Sequence, residues 1–176
     1  MIKETFPVAP AETDPSLDFE RERGVTHISV RPGVAQFSAY CDAPRKSMAD
    51  IFGLLADQSI NLFLIKIHNQ CLGFCVAIED VEAVKVLFEQ VHMRYAMARE
   101  CALVSVVAPA MRDLSGVLWR IVGCLRSRRI EILELADAYN SVSCLVEGQH
   151  MDSAAQGLAE AFGVAVATES DPMDPW

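Results

Sequence analysis

A duplicated hydrophobic pattern constrains this chain more than any other feature. In the first copy, Ala35–Tyr40 alternates as a short strand and is closed by Asp42-Ala-Pro44. Ser47 is a favourable N-cap, and Met48, Ile51, Phe52 and Leu55 then share one helical face. Ile60–Ile67 and Cys71–Ile78 read as the next two strands, and Asp80 opens a helix with Val81, Val84, Phe88 and Val91 on one stripe. The second copy runs in the same order. Ala102–Val107 is a strand, Pro109–Ser115 a loop, and the helix after Gly116 aligns Leu118, Ile121, Val122 and Leu125. Strands Ile130–Leu135 and Ser141–Val146 follow, and the last helix carries Met151, Ala155, Leu158 and Phe162. Ala35 corresponds to Ala102 and Ile60 to Ile130, an offset of 67 to 70 positions that marks duplication of one fold unit.

Each unit reads β-α-β-β-α and needs a closing strand to become the ferredoxin-like β-α-β-β-α-β plan, an antiparallel sheet with both helices on one face. Ala98–Ala102 supplies that strand for the first unit. The second ends in weaker material, Gly163–Thr168. An early strand, Val25–Val30, stops at the turn signal Pro32-Gly33 and has no unit of its own. The economical arrangement inserts the first unit into the second, so that the N-terminal strand completes the second sheet. The expected organisation is therefore a lead-in over 1–23, a strand over 24–33, a first module over 34–100, a second over 101–167 and a tail over 168–176. The lead-in and tail are expected to be flexible.

Composition narrows the function classes. No run of about 18 apolar residues is present, so no membrane-spanning helix is expected. The N-terminus lacks the basic-then-apolar pattern of a signal peptide, which makes the cytoplasm the expected compartment. A formal net charge of −9 argues against nucleic acid, whose phosphates need clustered cations. Arg126-Ser-Arg-Arg129, the one basic knot, falls at a helix end where cations complement the dipole. The six cysteines lie in or beside apolar runs and read as reduced core thiols; Cys71 and Cys75 lack the further ligands of a zinc site. His27, His68, His92 and His150 have no partner at triad spacing. No metal and no cofactor is expected.

The run Ala102-Leu-Val-Ser-Val-Val-Ala-Pro-Ala-Met-Arg112, with Ser115-Gly-Val117, Ile130-Glu-Ile132 and Val142–Val146, resembles the second ACT module of aspartokinases. Ile51-Phe-Gly53, Leu55-Ala56 and Ile60-Asn61 resemble the first, and Gly24-Val-Thr-His-Ile28 the segment that opens the regulatory region. The resemblance spans residues 24 to about 165. It implies two ferredoxin-like ACT modules that bind lysine, threonine or a related amino acid of the aspartate pathway and dimerise through their sheets. A partner biosynthetic enzyme such as an aspartokinase is also implied. The sequence contains no Gly-rich phosphate loop, so catalysis is not expected of it. The alternative is a degenerate ACT pair, a ligand-free dimerisation or protein-interaction module.

An amino-acid effector presents a carboxylate, suited to free N–H groups at a helix N-terminus, and an ammonium, suited to carbonyls or acidic side chains. The candidate loops contribute Cys41, Asp42, Arg45, Lys46, Ser47 and Met48 in the first unit, and Met111, Arg112, Asp113, Ser115 and Gly116 in the second. The strand starts Asn61-Leu62 and Glu131-Ile132 are expected to lie beside those loops and complete each site. The family's glycine at the helix start is kept as Gly116 but replaced by Lys46, and its strand-start asparagine is kept as Asn61 but replaced by Glu131. Where the family often has an acid two positions on, this chain has Phe63 and Leu133.

Overall fold

The computed structural model describes residues 24–40, 44–68 and 70–168. The expected lead-in over 1–23 and nearly all of the tail, 169–176, lie outside the described residues. In chain order the elements are β1 (His27–Tyr40), α1 (Pro44–Asp57), β2 (Phe63–Ile67), β3 (Cys71–Ala77), α2 (Val81–Gln90) and β4 (Arg94–Val107). They are followed by α3 (Val117–Ser127), β5 (Glu134–Asp137), β6 (Ser141–Glu147), α4 (Met151–Phe162) and β7 (Ala165–Thr168).

The strands form one seven-stranded sheet in the order β2-β3-β1-β4-β6-β5, with β7 joined to β1. Two separate sheets were expected; two long central strands merge them. Residues 27–31 of β1 pair antiparallel with 103–107 of β4, and residues 36–40 pair with 94–98. The first part of β1 also pairs in parallel with β7, His27 opposite Ala165 and Val30 opposite Thr168. The pairing is symmetric about Val34 opposite Cys101, which are equivalent positions of the repeat.

Pro32-Gly33 does not end a strand as expected. Between Arg31 and Val34, β1 spends three steps against two on β4, which is a β-bulge. Gly33 supplies the positive φ of 66° that the bulge requires. A turn and such a bulge call for the same residue, so the local signal was ambiguous. A matching irregularity follows on β4, where Glu100 has φ 56°.

The helices fold for the reason their pattern suggests, with corrections at their ends. Pro44, whose fixed φ suits a first helical turn, starts α1, and Ser47 lies inside the helix rather than capping it. In α3, Val117, Ile121 and Leu125 face inward, while Leu118 and Val122 are exposed. The strands β2 and β5 begin later than the apolar runs indicate. Ile60 and Ile130 are buried, and their N–H groups donate to the Leu55 and Leu125 carbonyls, each at 3.0 Å. They finish helices instead of starting strands.

Repeat-equivalent residues build two helix-facing cores. Phe37, Ile51, Leu55, Ile60, Phe74, Val84 and Phe88 belong to the first, and Val104, Ile121, Leu125, Ile130, Cys144, Ala154 and Leu158 to the second. Alternation along the strands sends Val34, Cys75, Cys101 and Leu145 to the helix-free face, where they form a third cluster with Phe63 and Leu133 alongside. That face is covered because the two edge strands come together. Lys66 of β2 lies 3.1 Å from Glu134 of β5, and Gln36 of β1 donates to the other carboxylate oxygen. Glu134 is the one buried charged side chain among the described residues. Its Oε1 is ion-paired with Lys66 but receives no directed hydrogen bond.

Candidate effector site

The loop before α3 is tightly wound. Residues Met111–Asp113 form a 3-10 turn in which Asp113 N–H donates to Ala110 O at 3.0 Å and Leu114 N–H to Met111 O at 3.1 Å. The Met111 side chain is buried, anchoring the loop to the second core. Gly116, at φ 76°, turns the chain into α3; an added Cβ would meet nothing, so backbone conformation rather than space selects glycine here. Arg112, Asp113 and Ser115 are exposed.

The β5–β6 hairpin stands opposite. Ala108 N–H donates to Asn140 O at 2.8 Å and closes the hairpin tip onto the end of β4; Ala138 N–H donates to Ser141 O at 2.8 Å within the tip. Between loop and hairpin lies a recess of about 300 Å³, with Met111, Arg112, Leu114, Leu118, Asp137, Tyr139 and Val142 in its wall. The Arg112 guanidinium lies over the Tyr139 ring, 5.3 Å from its centroid. Asp137 and Tyr139 were missed from sequence because Ala136–Asn140 read only as a gap between strands.

The strand starts do not adjoin the loops of their own unit. Glu131 and Ile132 follow the C-terminus of α3, whereas Met111–Gly116 precede its N-terminus. An 11-residue helix spans about 16 Å, too far for one small ligand to bridge. Glu131 is exposed, and Ile132 is half-buried against the second core. The first unit repeats this separation across the 14 residues of α1, with Asn61 exposed and Leu62 packed on the first core. The Met48 side chain is buried in that core. Cys41 and Asp42 lie outside the described residues; Arg45, Lys46 and Ser47 fall in the first turn of α1, their side chains also outside the described set. Phe63 and Leu133, the positions of the missing acids, pack on the helix-free face instead.

The cysteines divide by burial. Cys75, Cys101 and Cys144 are buried, and Cys71 and Cys124 are half-buried. Burial, aided by the nearby Glu134 carboxylate, pushes the Cys75 thiol up to about 12, and burial alone takes Cys144 to about 12. Burial and Glu147 also raise Cys101. Such thiols stay protonated and unreactive at neutral pH. Among the described residues no cluster of three metal-ligating side chains occurs, and no helix is long and apolar enough to cross a membrane.

The ACT domain family profile matches residues 97–160. Aspartokinase 1 of Bacillus subtilis is 26% identical over 142 residues, covering 80% of this chain and 35% of the relative. The aspartokinase of Geobacillus stearothermophilus is 30% identical over 130 residues, covering 68% of this chain and 31% of the relative. The chain thus spans about a third of the length of these curated relatives. In fold, the ligand-free regulatory subunit of aspartate kinase from Thermus thermophilus superposes with a TM-score of 0.72 at 19% identity, covering 80% of this chain and 99% of that one. The chain carries an ACT domain and resembles, in sequence and in fold, the regulatory region of aspartokinases.

Proposed function

We propose that this chain is a regulatory pair of ACT modules that binds a small amino acid of the aspartate pathway, of lysine or threonine type, and adjusts a biosynthetic enzyme such as an aspartokinase. Residues 34–100 form the first module, inserted between 24–33 and 101–167 of the second. The pairing of residues 27–31 with 103–107 and 165–168 supports that insertion.

The observation that carries the functional reading is the separation of each loop from its own strand start. Loop N–H groups and a strand-start Asn61 or Glu131 can meet around one ligand only when a second helix lies antiparallel beside the first. A homodimer with α1 or α3 of two copies side by side provides that arrangement, so binding and dimerisation are linked. Thermal-shift and calorimetric titration with the twenty amino acids, read together with sedimentation, tests it. Lysine or threonine should raise Tm and strengthen the dimer, and Asn61→Ala should abolish both effects. Absence of any shift would leave the second reading, a ligand-free assembly module. Phe63 and Leu133 favour that alternative, because they pack against the third cluster at positions where the family often has an acid.

A further inference from the structure

We propose that the recess between the α3 loop and the β5–β6 hairpin is an amino-acid site complete within one chain, selective for a zwitterion with an apolar side chain. The assignment rests on the amino-acid-binding reading above but differs in place, partners and ligand. Its volume of about 300 Å³ is at the small end of ligand-sized cavities. Its rim carries one cation, Arg112, and one anion, Asp137, which form no ion pair with each other or with any other described residue. Two unpaired opposite charges at one small cavity suit the two poles of an α-amino acid.

The poles are distinguishable. Arg112, steadied over the Tyr139 ring, offers a forked donor to the carboxylate. Asp137 accepts from the ammonium. Below them Met111 and Val142 are buried, while Leu114 and Leu118 supply apolar wall. Leu118 and Tyr139 are among the exposed large hydrophobic residues of the molecule, 48% and 59% exposed, and a seated ligand covers both. Once Asp137 holds the α-ammonium, no second acid in the wall remains for the ε-ammonium of lysine. Leucine and methionine fit; lysine does not. Both walls are already fastened, the loop by its 3-10 turn and the hairpin by the Ala108–Asn140 hydrogen bond, so little ordering accompanies binding.

Calorimetry of the full chain decides the matter, using L-leucine, L-methionine, L-lysine, leucine amide and 4-methylpentanoate. Leucine or methionine should bind with an affinity independent of protein concentration. Leucine amide and 4-methylpentanoate, each lacking one pole, should bind about ten- to a hundredfold more weakly. Arg112→Ala should erase the preference for leucine over its amide, and Asp137→Asn the preference for leucine over 4-methylpentanoate. Both residues are exposed, and unchanged circular dichroism and Tm of the free variants show that folding is intact. If an amino acid binds but Arg112→Ala and Asp137→Asn leave its affinity untouched while Asn61→Ala removes it, the recess is not the site and the interface reading stands. If no amino acid binds wild type, both readings fall.

Discussion

The two halves of the sheet meet the same steric problem with opposite residues. Where β1 bulges, Gly33 provides the positive φ, and a Cβ there would sit 3.3 Å from Cγ2 of Ile78 in the turn after β3. Where β4 bulges, Glu100 takes the left-handed conformation, and the turn after β6 makes room through Gly148. A Cβ on Gly148 would lie 2.6 Å from the Glu100 carbonyl oxygen, a distance backbone cannot tolerate. Gly33 corresponds to Glu100 and Ile78 to Gly148 in the repeat. One glycine per contact suffices, and the duplicated copies have settled on different sides of it. Their cores diverge as well. Phe37 packs with Phe74, Phe88 and Tyr95 in the first, while its counterpart Val104 sits in a core of mostly aliphatic side chains.

The largest expected effect comes from that aromatic cluster. Phe37→Ala should cost about 3–5 kcal/mol and Val104→Ala about 2 kcal/mol. Because β1 and β4 run through both halves, either variant should shift one cooperative urea transition; two separate transitions would show that the halves fold independently. Alkaline pH acts on both halves at once. The folded-state values of Cys75 and Cys144 are raised to about 12 from an ordinary 9.0. The unfolded chain therefore loses these protons first, and stability present below pH 9 should decline between about pH 9 and 12. Stopped-flow thiol labelling should find both cysteines protected until unfolding. A native Cys75 that reacts at once would contradict the burial of the helix-free face.

The glycine contacts yield smaller effects. Gly148→Ala should cost about 1–3 kcal/mol, since backbone must move to admit the methyl group. Gly33→Ala should cost about 1–2 kcal/mol, because its contact is a side chain that can yield and the positive φ carries most of the penalty. Glu100→Gly should stabilise by less than about 1 kcal/mol, relieving the left-handed residue at some loss to chain entropy. A Gly148→Ala cost no larger than that of Gly33→Ala would mean that the Glu100 backbone yields to the added methyl group.

Much of the architecture was legible because burial follows periodicity. Ile51, Leu55 and Ile60 recur as Ile121, Leu125 and Ile130, all buried, and the helices fall where that spacing puts them. What misled was local chemistry with two meanings. Pro32-Gly33 serves a bulge as readily as a turn, and a buried isoleucine after a helix serves its C-terminus as readily as a strand. The candidate site was half legible. Met111, Arg112 and Gly116 were visible as a loop before a helix. Their neighbours were not, because adjacency in sequence placed Glu131 beside them, while an intervening helix carries it to the other end. Asp137 and Tyr139 are brought in by a hairpin whose approach depends on the antiparallel return of β5 and β6.

The long strand β1 has a consequence for how the chain acquires its shape during synthesis. Residues 27–31 are made before both of their partners, since one flank pairs with residues 103–107 and the other with 165–168. Pairings so distant in sequence form slowly, since much chain must be brought together before they are rewarded. Residues 27–31 therefore wait, one edge of backbone N–H and C=O groups unpaired, until residues 165–168 have been made. Gly33 sits at the point that divides the waiting portion from the part that β3 and the start of β4 can capture much sooner.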